Sequence, residues 1–103
     1  MTIDELLKEG RRIWGDDREE LSDIVVLMGV VFGDICRYRR DQTEPAGKTG
    51  PPETELQKEF GNIILSTIRW CDDMGFDPEE CIRRAIECQR VFRARLHASE
   101  PVQ

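Results

Sequence analysis

The sequence predicts an all-α fold, a four-helix bundle formed by a single domain. Apolar residues recur at helical spacing in four segments, and each segment is bounded by helix start and stop signals. No window shows the sustained alternation of a strand. The chain has 103 residues, which suits one small domain. A core of this size stabilises a monomer only modestly, so association between copies is favourable.

The first two helices each follow an acidic start signal. Thr2 and Glu5 have the spacing of a capping box, and the helix that they open should end near Trp14. Residues 17–20 form the second signal, and the helical pattern after them runs to about Arg40.

Residues 41–52, DQTEPAGKTGPP, form the one clear linker because they are rich in proline and glycine. The third helix is predicted from about Glu53 to Met74, where Gly75 ends it.

The fourth helix is predicted to start at residues 77–80, where an aspartate N-cap precedes a proline and two glutamates. After about Leu96 the chain is expected to fray. The predicted domain therefore covers residues 1–96, and residues 97–103 form a tail.

The second helix carries more apolar surface than a small monomer can bury, since apolar residues lie on two opposite sides. Such excess surface predicts a homo-oligomer, a dimer or a tetramer, associated through the second helix. A stripe of Ser22, Gly29 and Gly33 would let a helix approach closely, although a kink is an equally simple explanation. The apolar residues are Leu21, Ile24, Met28, Val31, Phe32 and Ile35 on one side and Val26, Leu27 and Val30 on the other.

Composition and charge argue against several partners and locations. The formal net charge of -6 disfavours nucleic acid and anionic membrane surfaces as partners. No apolar run approaches the ~20 residues of a membrane span, and the acidic first residues do not resemble a signal peptide. A cytoplasmic protein is therefore expected.

The cysteines are expected to be reduced thiols in the core of the bundle. None belongs to a C-x-x-C pair, and the lone histidine, His97, lies in the predicted tail, which disfavours a zinc site. The four cysteines are Cys36, Cys71, Cys81 and Cys88.

Two predicted helices carry oxygen ligands at a spacing that suits a hard cation. Glu59 and Asn62 lie three residues apart on the third helix. Asp34 on the second helix could share an ion with Glu59 if the two helices pack antiparallel. Magnesium prefers several oxygen ligands, chiefly carboxylates and water. From spacing alone, a solvated polar face is the ordinary explanation of the pattern.

Three stretches resemble the MazG-type, all-α nucleoside triphosphate pyrophosphohydrolases: VVFGDICR (30–37), KEFGNIIL (58–65) and DDMGFDPEECIRRAIE (72–87). That family has an E-x-x-E motif, then an E-x-x-D motif, then a helix start of the form G-[IL]-D-x-E-E-A. The similarity covers about residues 20–95. It implies a helical core assembled as a dimer or tetramer. It also implies magnesium held by four acidic positions and cleavage of a nucleoside triphosphate to the monophosphate and pyrophosphate.

Carried over by position, the resemblance assigns the two acids of the first motif to Val31 and Asp34. It assigns those of the second motif to Glu59 and Asn62. Two of the four expected acids are therefore replaced by a hydrocarbon and a neutral amide. The resemblance implies Asp34 and Glu59 as catalytic residues, with Asn62 as a third metal ligand. Because magnesium dehydrates reluctantly, its binding should be weak or absent, and activity weak or altered.

A second alignment stays open, because Glu20 and Asp23 in ELSDIVV repeat the pattern of EFGNIIL. Both lie too far along the second helix to serve the same ion as Asp34, since Asp23 and Asp34 are about 16 Å apart along the axis.

Arginines and aromatic residues provide candidate contacts to a nucleotide. Arg69 shares the stripe of Glu59, Arg37 lies near the end of the second helix, and Arg83 lies on the fourth. Guanidinium groups suit phosphate geometry, although arginines near a helix end also pair with the helix dipole. Trp14 and Trp70 could stack a base or belong to the core.

Two functions therefore stay open. The first is a MazG-like nucleotide pyrophosphohydrolase that requires magnesium. The second is a non-catalytic module of the same fold that binds a nucleotide or a protein and has lost the metal site.

Overall fold

The computed structural model describes residues 1–43 and 53–98, which form four α-helices and no strand within those ranges. The all-α prediction is therefore confirmed. The helices are α1 (Ile3–Trp14), α2 (Leu21–Thr43), α3 (Glu53–Asp73) and α4 (Pro78–Ala98). Helix α2 continues three residues into the predicted linker, and α4 continues to Ala98. The rest of the linker and the end of the predicted tail lie outside the described residues.

Local signals in the sequence account for both ends of α1. The Glu5 amide donates a hydrogen bond of 3.1 Å to the Thr2 hydroxyl oxygen, which satisfies one of the free N–H groups of the first turn. The Thr2 hydroxyl in turn donates to the Glu5 carboxylate at 3.1 Å. At the other end Gly15 has a positive φ of 83°, and its amide donates to the Arg11 carbonyl at 2.7 Å.

The turn between α3 and α4 ends one helix and begins the next within four residues, 74–77. Gly75 has a φ of 79°. Its amide donates to the Asp72 carbonyl, and that of Phe76 donates to the Cys71 carbonyl, both at 2.9 Å. These paired bonds form a Schellman motif. Asp77 then caps α4 by accepting from the Glu79 amide at 3.1 Å.

Replacing Gly75 by alanine is expected to lower the free energy of unfolding by about 1 kcal/mol, because L residues avoid the left-handed region. Gly61, inside α3, is the matched control, since a Cβ built there meets no heavy atom within 4 Å. Gly61→Ala should raise stability by up to about 1 kcal/mol through helix propensity. Urea denaturation measures both changes. Equal effects at the two positions would contradict the expectation that an L residue is strained at position 75.

Helix α3 is the centre of the arrangement, and each of the other helices packs against it. Helix α1 runs parallel to α3, since its start borders a cavity with Lys58 and its end contacts Asp73. Helix α2 runs antiparallel to α3, since Arg18 before it reaches the Asp72 carbonyl while Val31 shares a cavity with Asn62.

The buried core is small, and several apolar residues lie outside it. Among the described residues, Ile24, Ile68 and Trp70 are its buried hydrophobic side chains. In α4 every residue from Ile82 to Ala98 is exposed. The Cα radius of gyration is 17.7 Å, whereas a compact chain of this length has about 13 Å. The described helices therefore leave apolar surface without a partner.

The structure corrects the predicted faces of α2. Leu27 lies with Ile24 on the packed side, not on the opposite side. Six apolar side chains of this helix are exposed to solvent, namely Leu21, Val25, Val26, Met28, Val30 and Phe32.

The expectation of core cysteines is wrong for two of the four. All four thiols are free, Cys36 and Cys88 are exposed, and Cys71 and Cys81 are half-buried. No helix within the described ranges is both long enough and apolar enough to cross a membrane.

Candidate functional site

A cavity of about 520 Å³ lies between the end of α1, the middle of α2 and the second half of α3. We call it the Arg69 cavity. Its wall combines apolar side chains from α2 with polar and aromatic groups from α1 and α3. The residues that bear on function are Trp14, Val31, Asn62, Ser66, Arg69 and Trp70.

Arg69 places a cation inside this cavity between two indole rings. Its side chain is only 8% exposed. Its guanidinium carbon lies 5.2 Å from the centre of the Trp14 ring and 5.9 Å from that of Trp70. Both distances allow cation–π attraction. Helix α1 packs against Arg69 at Gly10, where a Cβ would lie in ordinary contact, 3.7 Å from the Arg69 side chain.

A cluster of ion pairs that the sequence did not predict adjoins the cavity at the end of α3. Arg11 Nη2 donates to Asp72 Oδ2 at 2.7 Å and to Asp73 Oδ1 at 2.5 Å. Arg69 Nη1 lies 3.9 Å from the other Asp73 oxygen. We call these four residues the Arg11–Asp73 cluster. Burial lowers the pKa of Arg11, but hydrogen bonds and attraction from both aspartates outweigh it, so the net shift is upward.

One sequence signal could have revealed this cluster. Asp72 and Asp73 stand in the last turn of α3, where the negative end of the helix dipole disfavours carboxylates. Acids at that place require nearby cations. Arg11 and Arg18 supply them from the distant start of the chain.

The predicted metal residues occupy two levels of the α2–α3 interface. Val31 and Asn62 both line the Arg69 cavity. Asp34 follows Val31 by one turn, and Glu59 precedes Asn62 by one turn. Because the helices run antiparallel, Asp34 and Glu59 lie at the same level, one turn further from Arg69.

Glu59 is held in an unusual environment for a carboxylate. Its side chain is 12% exposed, and Lys58 Nζ lies 3.6 Å from Oε1. Its Oε2 atom is buried and has no hydrogen-bond partner. Asp34 is more open, with Arg37 Nη1 at 3.7 Å from its Oδ1. Within the described parts of the chain, no three His, Cys, Asp or Glu side chains are grouped as a ligand set for a metal.

Of the three arginines predicted to bind substrate, only Arg69 lies in the cavity. Arg37 is exposed beside Asp34. Arg83 is exposed on α4, where it pairs with Glu79 and Glu80, each at 3.1 Å. The structure therefore brings Arg69 and Asn62 together and leaves Arg83 among acids of its own helix.

Three buried polar atoms of α3 have no hydrogen-bond partner, and they follow its central face. Besides Glu59 Oε2 they are Trp70 Nε1 and Asp73 Oδ2. An unsatisfied buried group costs about 1–3 kcal/mol, so this face retains unused capacity to donate and to accept hydrogen bonds.

Comparison with protein-family models, curated proteins and solved structures gives no significant match.

Proposed function

We propose that this chain is a MazG-like, nucleotide-binding domain with weak or altered pyrophosphohydrolase activity. It would cleave a nucleoside triphosphate to the monophosphate and pyrophosphate with magnesium. One observation carries the proposal. Val31, Asn62 and Arg69 line one cavity. One position from each metal motif of the resemblance therefore lies together with a candidate phosphate contact.

The cavity has the groups that a nucleotide requires. Arg69 is a desolvated cation that can pair with phosphate oxygens, and guanidinium geometry suits them. Trp14 is 65% exposed at the rim, so its ring is available to stack on a base. Ser66 and Asn62 add polar groups to the wall.

Magnesium would be held by Asp34, Glu59 and Asn62. The unpartnered Oε2 atom of Glu59 fits a cation, because a buried carboxylate oxygen needs a positive or hydrogen-bonding partner. Val31 supplies no ligand and Asn62 supplies no charge, so the expected affinity of the site for magnesium is reduced. When bound, the metal would activate water and neutralise phosphate charge.

The test incubates the protein with a panel of nucleoside triphosphates and magnesium or manganese and measures pyrophosphate. Glu59→Gln is expected to reduce release at least about 100-fold, because it removes one of two remaining carboxylates. Glu55→Gln is the matched control: Glu55 is an exposed acid one turn earlier, and it contacts the same Lys58. It should change release less than about twofold. Loss of activity in both variants would contradict a specific role for Glu59.

A second candidate is a non-catalytic module that keeps the fold and binds a nucleotide or a protein. The loss of metal ligands favours this second candidate, since only two of the four expected metal-binding positions carry a carboxylate. Nucleotide binding without pyrophosphate release would select this candidate. If neither binding nor release occurs, both the enzymatic and the nucleotide-binding proposals fail.

The proposed assembly is a homo-oligomer joined through α2, whose exposed apolar residues are unusual for a monomer. We expect sedimentation at two or four times the chain mass of 12.0 kDa. Val26→Asp should shift the equilibrium from oligomer toward monomer, because it places a charge within the proposed apolar contact between α2 helices. Val91→Asp makes the same change on an exposed residue of α4 and should leave the mass unchanged. A monomeric parent at micromolar concentration would contradict the interface.

The proposal includes a cytoplasmic location. The net charge of -6 disfavours nucleic acid and anionic membrane surfaces as partners.

A further inference from the structure

Two cysteines meet across the junction of α3 and α4. Cys71 lies in the last turn of α3 and Cys81 in the first turn of α4. The turn of residues 74–77 is the only chain between the two helices that carry them. Both line an apolar groove of about 400 Å³ that also contains Ile68, Pro78 and Ile82. Neither cysteine forms a disulfide in the structure.

The backbone fixes both cysteines relative to each other. The Cys71 carbonyl accepts from the Phe76 amide at 2.9 Å, and the Cys81 amide donates to the Asp77 carbonyl at 3.1 Å. The connection between the two residues is therefore closed by hydrogen bonds at each end. Because both side chains face the same groove across this short turn, side-chain rotation can bring the two sulfurs toward bonding distance.

We propose that Cys71 and Cys81 are a dithiol site, which a small disulfide oxidant such as oxidised glutathione converts into an intrachain disulfide joining α3 to α4. The other two cysteines do not compete for this bond. Cys36 is exposed on α2. Cys88 lies seven residues after Cys81 on α4, about 10 Å along the axis, which is beyond disulfide reach.

The exchange proceeds in two balanced steps. The Cys81 thiolate attacks one sulfur of glutathione disulfide, that S–S bond breaks, and the first glutathione leaves as a thiolate that takes up a proton. Cys71 then gives its proton to water, and its sulfur attacks the Cys81 sulfur of the mixed disulfide and releases the second glutathione. Two protein thiols are oxidised, and one glutathione disulfide is reduced to two thiols.

The environment of Cys71 sets this order. Burial, together with the hydrogen bond and charge of Cys81, raises the pKa of Cys71 from 9.0 to about 11. Cys71 is thus protonated near neutral pH and is a poor first nucleophile. It is well placed as the resolving thiol because Cys81 lies beside it.

The disulfide closes a loop of about ten residues, which restricts the unfolded chain. The ratio of folded to unfolded protein should rise about 100-fold, and Tm should rise by about 10 °C for a chain of this length. Cys71 directly follows Trp70 and precedes Asp72, so the bond also fixes the end of α3 that carries the Arg11–Asp73 cluster.

The test uses the full chain with Cys36→Ser and Cys88→Ser, which removes the two exposed thiols. The protein is equilibrated in a series of reduced and oxidised glutathione, alkylated, and weighed by mass spectrometry. We expect Cys71 and Cys81 to become protected together, with loss of two hydrogens, no retained glutathione, and a higher Tm.

In the same background, Cys71→Ser and Cys81→Ser are the matched controls, and neither should gain stability on oxidation. A single remaining thiol should stay free or hold one glutathione. Three results would each overturn the dithiol site. They are stable glutathione adducts on the two-cysteine parent, disulfides between chains, and free thiols at the most oxidising ratio of glutathione disulfide to glutathione.

Discussion

Replacing Arg11 by alanine is expected to lower the free energy of unfolding by about 3 kcal/mol, because it leaves buried carboxylates without their main cation. Arg11 is 15% exposed, and the Asp73 side chain that it contacts is fully buried. Removal of one partner costs far more than the net value of an ion pair, since the remaining charge cannot return to water. Urea denaturation at neutral pH measures the loss.

Arg12 is a matched control for this substitution because it is the adjacent residue on the same helix and also pairs with an acid. Its side chain is 69% exposed beside Glu9. Arg12→Ala should therefore change stability by less than about 0.5 kcal/mol. If the two variants lose equal stability, the effect comes from general charge or helix propensity and not from the Arg11–Asp73 cluster.

Restoring the two missing acids, Val31→Glu with Asn62→Asp, is expected to raise magnesium-dependent pyrophosphate release on the order of 100-fold. Both positions line the Arg69 cavity. Two further carboxylates would complete a set of four oxygen ligands with Asp34 and Glu59. Changes in the surroundings of a bound metal alone alter affinity or activity by about 10- to 100-fold. Each single substitution should give an intermediate rate.

The control is Cys36→Glu with Asn62→Asp, which has the same charge but places the glutamate on an exposed residue of α2 outside the Arg69 cavity. It should show little gain. If the restored variant binds nucleotide and folds normally yet releases no more pyrophosphate than the parent, the alignment of the first motif with Val31 is wrong. The alternative alignment with Glu20 and Asp23 would then be favoured.

The sequence was sufficient to locate the four helices because their ends depend on local chemistry. Thr2 caps α1 through its own hydroxyl, and Gly75 supplies the positive φ that ends α3. Each interaction involves residues close in the chain, so the local sequence is sufficient to predict the helix end.

The packing was harder to predict because it depends on residues that are distant in the chain. Arg69 is a charged residue on a polar stripe, and yet it is buried between Trp14 and Trp70. Nothing within α3 indicates this, because Trp14, one of the two rings that contact it, lies on α1. Likewise, an apolar pattern on both sides of α2 could not show which side faces α3.

The central position of α3 has a consequence for the order of folding. The α3–α4 pair closes across only four residues, 74–77, at a small cost in chain entropy. Helix α1 meets α3 only after a loop of about 60 residues has closed, which costs more and is slower. The α3–α4 hairpin should therefore form early in folding. Helix α1 should pack last, when Arg11 pairs with Asp72 and Asp73 at the end of the α3 helix already formed.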